Sequence, residues 1–343
     1  MSSIYEKYDL KQVINASGRM TILGVSTPSA DVVDTVSYGL NHYFEIKDLV
    51  NKTGAYIARL LEVENAVVVS CASAGIAQCI AAVIVKDNDW LLDNLHAAPL
   101  SVPHDIVVPK GHNVNYGAPV GNMVALGGGR LIEAGYSNEC SPEQLAVVAR
   151  KHGIPLIVDA AAEEDLQCYY QMGADLVIYS GAKAIEGPTS GLVIGRSQYV
   201  EWVKRQSNGI GRAMKVGKEG ILGLTQAIEN YLLQSKTSGA DMVAKMTPFI
   251  DNLNTLNSVS ARVVWDAAGR DIARAEIKFD EAVTGWPTGE LVQALKNGDI
   301  AICFRGYKAN EGIIEADVRS VSAEQLHIIF SRIQALLSGG KRA

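Results

Sequence analysis

A series of short, largely apolar runs, several of them ending in small polar residues, constrains this chain more than any other feature. They are Ala66–Val69, Asp105–Val108, Leu131–Ile132, Leu156–Val158, Leu176–Tyr179 and Leu192–Ile194. An apolar run without alternation marks a strand buried on both faces, as in a parallel sheet covered by helices. Helical patterns fall between the runs. Ile76–Val85 follows the first run, and Ser141-Pro142-Glu143-Gln144 opens a second helix. There a capping serine is followed by proline at the first helical position, with glutamine three residues after the cap. That helix is expected to reach His152 and stop at Gly153. Further helices are expected over Glu163–Met172 and Gly217–Gln234, the latter with Ile221, Leu224, Ile228 and Leu232 inward.

The pattern changes after Lys236–Ala240, which reads as a hinge. Helices are expected near Asp241–Leu256 and Thr288–Lys296, and strands near Arg262–Trp265, Arg274–Phe279, Ile300–Arg305 and Ile313–Val318. Ser322-Ala323-Glu324-Gln325 opens a last helix. The expected class is α/β, a mostly parallel sheet sandwiched by helices with a small C-terminal α+β domain. The expected divisions are an N-terminal segment over 1–50, packing on the small domain or a dimer interface, a large domain over 51–235, and the small domain over 236–343.

Composition excludes several classes. The 343 residues are 48% hydrophobic and 20% charged, enough for one large core or two domains. No apolar run reaches the roughly 18–20 residues that span a bilayer. Met1–Leu10 lacks a basic stretch followed by an apolar one, so no secretory signal is expected. The five cysteines, Cys71, Cys79, Cys140, Cys168 and Cys303, are scattered without a CxxC pair. They point to free thiols in a reducing cytoplasm, with no disulfide framework and no zinc or other metal site. The net charge is −6, with no basic stripe, so nucleic acid is not an expected partner.

In open α/β sheets, ligands sit beyond the carboxyl ends of the strands. The polar residues there are Ser70–Gly75, Asp159, and Ser180 with Lys183. Ser73, Ala74 and Gly75 lie at a strand-to-helix turn, where N–H groups and the helix dipole can hold an anion. They could equally be a tight turn of small residues. Asp159 follows an apolar strand, so its carboxylate needs a cationic partner, or it caps the next helix. Lys183 is either a solvated lysine or, desolvated in such a pocket, an amine able to form a Schiff base.

The order of these features resembles a family. Ser180-Gly-Ala-Lys183-Ala-Ile-Glu-Gly187-Pro188-Thr-Ser-Gly191-Leu-Val-Ile-Gly195 is similar to the lysine motif of fold-type-I pyridoxal 5′-phosphate (PLP) enzymes in the selenocysteine synthase (L-seryl-tRNA selenium transferase) branch. The resemblance extends to Val13–Gly18 and Arg212–Lys218. Lys110–Asn115 and Asp159–Asp165 are similar to a group of ammonia-lyases that act on phosphorylated amino-sugar acids in sugar-acid catabolism. The resemblance implies PLP as cofactor, Lys183 as Schiff-base lysine and Asp159 as partner of the pyridine nitrogen. Ser73, Ala74, Gly75 and Ser180 would hold the cofactor phosphate.

His112 falls about where this fold places a group over the cofactor ring, or is a surface-loop histidine. Arg305 and Arg319 end small-domain strands and are candidates to grip the substrate carboxylate. Arg19, Arg212, Lys215 and Lys218 are candidates for a phosphate, of the substrate or of a neighbouring subunit's cofactor. Glu163, Glu164 or His112 could protonate a leaving hydroxyl. The implied activity is elimination of ammonia from a phosphorylated amino-sugar acid, in a cytoplasmic homodimer or larger homo-oligomer. The alternatives are selenium transfer to seryl-tRNA, another amino-acid lyase or aminotransferase, and a non-catalytic sugar-phosphate-binding protein. Between Leu131–Ile132 and Leu156–Val158 the chain has room for one helix only, where the family is expected to place a further strand. Either the sheet is one strand short, or that segment is missing from this sequence.

Overall fold

The computed structural model describes residues 3–135, 141–233, 237–267 and 269–339. Cys140 and Lys236 lie outside the described residues. The chain divides into two compact units, a smaller one of residues 1–26 with 235–343 and a larger one of residues 27–234. Residues 27–50, expected with the N-terminal segment, thus count with the larger unit.

The strands, in chain order, are β1 (Gln12–Ala16), β2 (Asn65–Val69), β3 (Asp105–Pro109), β4 (Arg130–Ala134), β5 (Ile157–Asp159), β6 (Leu176–Ser180), β7 (Gly191–Gly195), β8 (Val259–Trp265), β9 (Ala273–Phe279), β10 (Ile300–Phe304) and β11 (Ile313–Asp317). In the larger unit β2, β7, β6 and β5 form one sheet in that order. β5 runs parallel to β6, but β7 runs antiparallel to both its neighbours. An apolar run carries no information on direction, so the sequence could not show this reversal.

Successive side chains of this sheet feed two cores, as the strand period of two requires. Val68, Val177, Leu192 and Ile194 pack with Ile57, Ile221, Leu224 and Ile228 on one face. Val67, Val69, Leu176, Ile178 and Val193 pack with Ile76, Ile80, Val200 and Val203 on the other. Each such side chain contributes about 1.5–3 kcal/mol when fully buried, so the sheet is a rigid platform for whatever its strand ends carry.

β3 and β4 pair parallel as a separate two-stranded sheet, and no described strand joins them to β5. The register partners Val107 and Ile132 remain 62% and 37% exposed. That is unusual for parallel strands, which helices normally cover on both faces.

Several helices form as their signals dictate. Ser141 caps Pro142–His152 through a reciprocal bond pair with Gln144, and Gly153 ends it in the left-handed region. Two expectations fail. Leu232 is exposed on the Lys218–Leu233 helix, and only Cys168–Gln171 is helical in the expected Glu163–Met172 span. There Asp165 accepts from the N–H groups of Gln167 and Cys168 at 2.8 and 2.9 Å. An aspartate bonding to the backbone just ahead of it delays the helix start.

In the smaller unit β8, β9 and β11 form an antiparallel sheet, and β1 pairs parallel with β10. The core of this unit gathers Ile14, Met246, Phe249, Ile277, Ile302 and Ile329.

Candidate active site

The register of the larger sheet puts its chemistry-bearing turns at one edge. Gly191 is the partner of both Val69 and Ser180, and Asp159 is the partner of Ile178. The ends of β2, β5 and β6 therefore converge, and Cys71–Gly75, Asp159 and Ser180–Lys183 follow directly.

The lysine turn is fixed by its backbone. The Gly181 N–H donates to Ser190 O at 2.9 Å, and the Gly187 N–H to Gly181 O at 2.8 Å. A Cβ on Gly181 would lie 2.2 Å from Ser190 Oγ, so only glycine lets the turn close here. Ala182, Ala184 and Ile185 are buried around it, which leaves Lys183 half-buried and aimed from a rigid base.

Asp159 accepts the Ala161 N–H at 3.1 Å. It caps no helix, since Asp165 serves the next one. Burial raises its pKa above the ordinary carboxylate value, while the Ala161 bond and the nearby Lys183 charge pull it down without winning. The carboxyl is reachable by solvent yet ringed by protein atoms. Lys183 is thus close enough to be felt electrostatically.

A carboxyl whose pKa folding has raised stabilises the fold when protonated, and loses that contribution as pH climbs from the unfolded to the folded value. At pH 7 it is a burden on the protein without ligand. Asp159→Asn is expected to hold or raise the melting temperature at pH 7, with the difference shrinking in acid. Scanning calorimetry checks this, and a lower melting temperature at pH 7 would mean the carboxylate is net stabilised instead.

The helix Ala72–Val85 begins at this edge, capped by Cys71, whose Sγ accepts the Ala74 N–H at 3.3 Å. A thiol is a weak acceptor, so that N–H can turn to an anion. Gly75 differs from expectation. Its N–H already bonds Cys71 O at 2.9 Å, and a Cβ there would stand 3.0 Å from Ile178 Cγ2. Its smallness serves packing of the helix on the sheet. Ser73 and Ser180 are both partly buried at this edge.

One residue of the site escaped the sequence. Tyr116, in the loop after β3, lies close enough to Ser73, Asp159 and Cys71 to feel them electrostatically. Burial raises its pKa, and the nearby Asp159 carboxylate adds to this. The loop is built for it: Asn115 Oδ1 accepts the Gly117 N–H at 3.0 Å, and Gly117 has φ +113°. The Asn-Tyr-Gly string was the available signal.

Comparison with known proteins gives this geometry its family. The sequence pattern described as L-seryl-tRNA selenium transferase matches residues 130–285. D-glucosaminate-6-phosphate ammonia lyase of Salmonella typhimurium is 36% identical over 364 aligned positions, covering 97% of this chain and 98% of that one. The chain belongs to this selenium-transferase-like family.

Members of the family are PLP-dependent, and the fold is that of fold-type-I PLP enzymes. A solved D-glucosaminate-6-phosphate ammonia-lyase structure superposes with a TM-score of 0.93 at 34% identity, covering 99% of each chain. A 5′-C-glycyluridine monooxygenase-decarboxylase of Streptomyces is 32% identical, covering 97% of this chain and 92% of that one. In the alignment to the Salmonella lyase, 97% of 343 residues is about 333, against 364 positions, so about 31 positions of that family member face no residue here. That is about the length of one strand with its crossover.

The other candidates stand as follows. His112 ends a short 3-10 turn and is exposed. Arg212 and Lys215 are exposed near the Ile210–Met214 turn. Lys218 instead donates to Leu40 O at 3.1 Å and to His42 O, and sits over the Tyr43 ring. Arg19, Arg305 and Arg319 belong to the smaller unit. Arg305 pairs with Glu315 at 3.3 Å, and Arg19 is partly buried after β1. Arg319, expected as a carboxylate binder, is bidentate on Asp317 through Nε at 3.0 Å and Nη2 at 2.8 Å.

Proposed function

We propose that this chain is a PLP-dependent ammonia lyase that converts D-glucosaminate 6-phosphate to 2-keto-3-deoxygluconate 6-phosphate and ammonia. The observation that carries the reading is the Asp159–Lys183 neighbourhood, in a chain that aligns over 97% of its length with a lyase of that name. The residues present fit the cofactor. Asp159 is a solvent-reachable carboxyl at the sheet edge, its pKa raised by the surrounding protein, and would suit a strong cation such as a protonated pyridine nitrogen. Lys183 supplies a half-buried amine beside it, and Ser73, Ala74 and Ser180 supply donors for a phosphate.

When bound, PLP supplies the electron sink for the charge left on Cα. Lys183 would be its attachment point and the base placed to take the Cα proton. Asp159 would hold a proton at the ring nitrogen. The C3–oxygen bond breaks and the hydroxyl leaves as water with a donated proton. The released enamine takes up one water and lets ammonia go, so the atoms balance.

The test is to feed the purified protein D-glucosaminate 6-phosphate and assay ammonia and 2-keto acid in equal amounts. Turnover of the phosphorylated sugar acid supports the reading. No turnover, with activity on a glycyl nucleoside or a salt-sensitive complex with seryl-tRNA, overturns it. The same reading takes the protein as cytoplasmic, since the free thiols Cys71, Cys79, Cys168 and Cys303 suit a reducing compartment. It also takes it as a homodimer or larger, because Tyr38, Leu40, Tyr43 and Ile46 leave a run of large apolar groups exposed.

A further inference from the structure

We propose that Tyr231 is a positioning residue for Asp159: by holding the loop that follows β5, it keeps the Asp159 carboxyl aimed at the cofactor's ring nitrogen. The proposal rests on the PLP reading above. β5 is only three residues long, Ile157–Asp159, and the chain stays bonded to the sheet just past it, with the Ala160 N–H donating to Ile178 O at 2.9 Å. It then turns away, yet the Ala161 N–H that Asp159 accepts at 3.1 Å lies beyond that point. The direction of the carboxyl therefore depends on how the loop is held. Tyr231 holds it from outside, its hydroxyl donating to Glu164 O at 2.5 Å across 67 positions of sequence. Further on, Leu166 is 4% exposed in the core, and Gln167 Nε2 donates to Leu61 O at 2.8 Å.

Of these contacts, the Tyr231 bond stands nearest to Asp159 along the chain. The turn between them is closed by the Glu163 N–H, which donates to Ala160 O at 3.0 Å. Tyr231 is carried on the Lys218–Leu233 helix, whose Ile221, Leu224 and Ile228 are buried in the core under the sheet. A rigid helix thus fixes one carbonyl of a loop that bears three acidic residues in a row, Glu163, Glu164 and Asp165. Like charges so close repel one another, and without the clamp this stretch loosens and draws the Ala161 N–H away from Asp159. The Tyr231 ring packs against the same core as the helix. Tyr231→Phe keeps that ring and removes only the hydroxyl.

The experiment uses the full-length protein stripped of cofactor and retitrated with two probes, PLP and its deaza analogue, in which a C–H replaces the ring nitrogen. Binding is read from the near-visible absorption that each aldehyde gains on the protein. An aimed carboxyl favours only the probe that has a nitrogen to hold. Tyr231→Phe is expected to weaken PLP binding by roughly 3- to 10-fold, the scale of one hydrogen bond, and to leave the analogue within about 2-fold of wild type. Asp159→Asn is expected to select against PLP in the same way. Tyr231→Phe placed on top of it is expected to cost nothing further, as for residues acting through one another. Unchanged PLP affinity in Tyr231→Phe overturns the proposal. So does an equal loss for both probes, which a general loosening of the fold would give, or an undiminished further loss in the Asp159→Asn background. A wild-type protein that gains no band with either aldehyde would sink the cofactor reading itself, a separate result.

Discussion

Lys183→Ala is expected to lower turnover of D-glucosaminate 6-phosphate by at least about 1000-fold and to remove the absorption band of bound cofactor. One side chain carries two duties here, attachment and proton transfer. General-base catalysis alone is worth about 100- to 10,000-fold, and covalent attachment adds to it. The fold should not suffer. The turn is held by Gly181, Ser190 and Gly187 backbone bonds, none of which uses the lysine ammonium. Far-ultraviolet circular dichroism should match wild type, and turnover assays should not. Retention of more than a tenth of the activity would mean that another amine does the work.

The second large effect lies in the smaller unit. Asp317 is fully buried, yet Arg274 reaches it at 3.3 Å and Arg319 at 2.8 Å. Arg274 is itself 4% exposed and also pairs with Asp266 at 3.0 Å. The backbone at Gly18 presses on the same carboxylate; a Cβ there would stand 2.8 Å from Asp317 Oδ2, and φ is +84°. Burial alone would raise the Asp317 pKa, but the Arg319 bonds and charge, with Arg274 behind them, hold it below the ordinary value.

Removing one partner of a buried pair strands the other, at a cost of about 3–5 kcal/mol. Asp317→Ala is therefore expected to lower the unfolding free energy by about that amount in urea denaturation at pH 7. A carboxyl depressed by folding stabilises above its unfolded pKa and loses that contribution as pH falls through the folded value. The gap between wild type and variant should thus narrow in acid below about pH 4, the unfolded carboxylate range. A cost under about 1 kcal/mol at pH 7 would mean that Asp266 alone suffices for Arg274.

Much of this was legible from residue order. Apolar runs such as Ala66–Val69 and Leu176–Tyr179 located the strands, because burial on both faces leaves no other pattern. Their polar followers, Asp159 and Lys183, then met because adjacent parallel strands end together. Less local matters stayed hidden. The reversal of β7 leaves no trace in an apolar run, and the delayed helix at Cys168 depends on where the Asp165 side chain turns. Tyr116 was missed because a loop tyrosine is usually a surface group. What distinguishes it is its nearness to Ser73 and Asp159, fixed only when β2, β5 and the loop after β3 have folded together. Arg319 read as an open cation because its strand-end position was visible and its buried counter-ion two residues earlier was not weighed.

The most direct measurement is the absorption spectrum of the protein purified as expressed, taken before and after borohydride, followed by peptide mapping of the reduced product. A near-visible band that borohydride abolishes, with the mass of a reduced pyridoxyl phosphate on Lys183 alone, is the expected result. A colourless protein that stays colourless with added PLP, or a label on any other lysine, would contradict it.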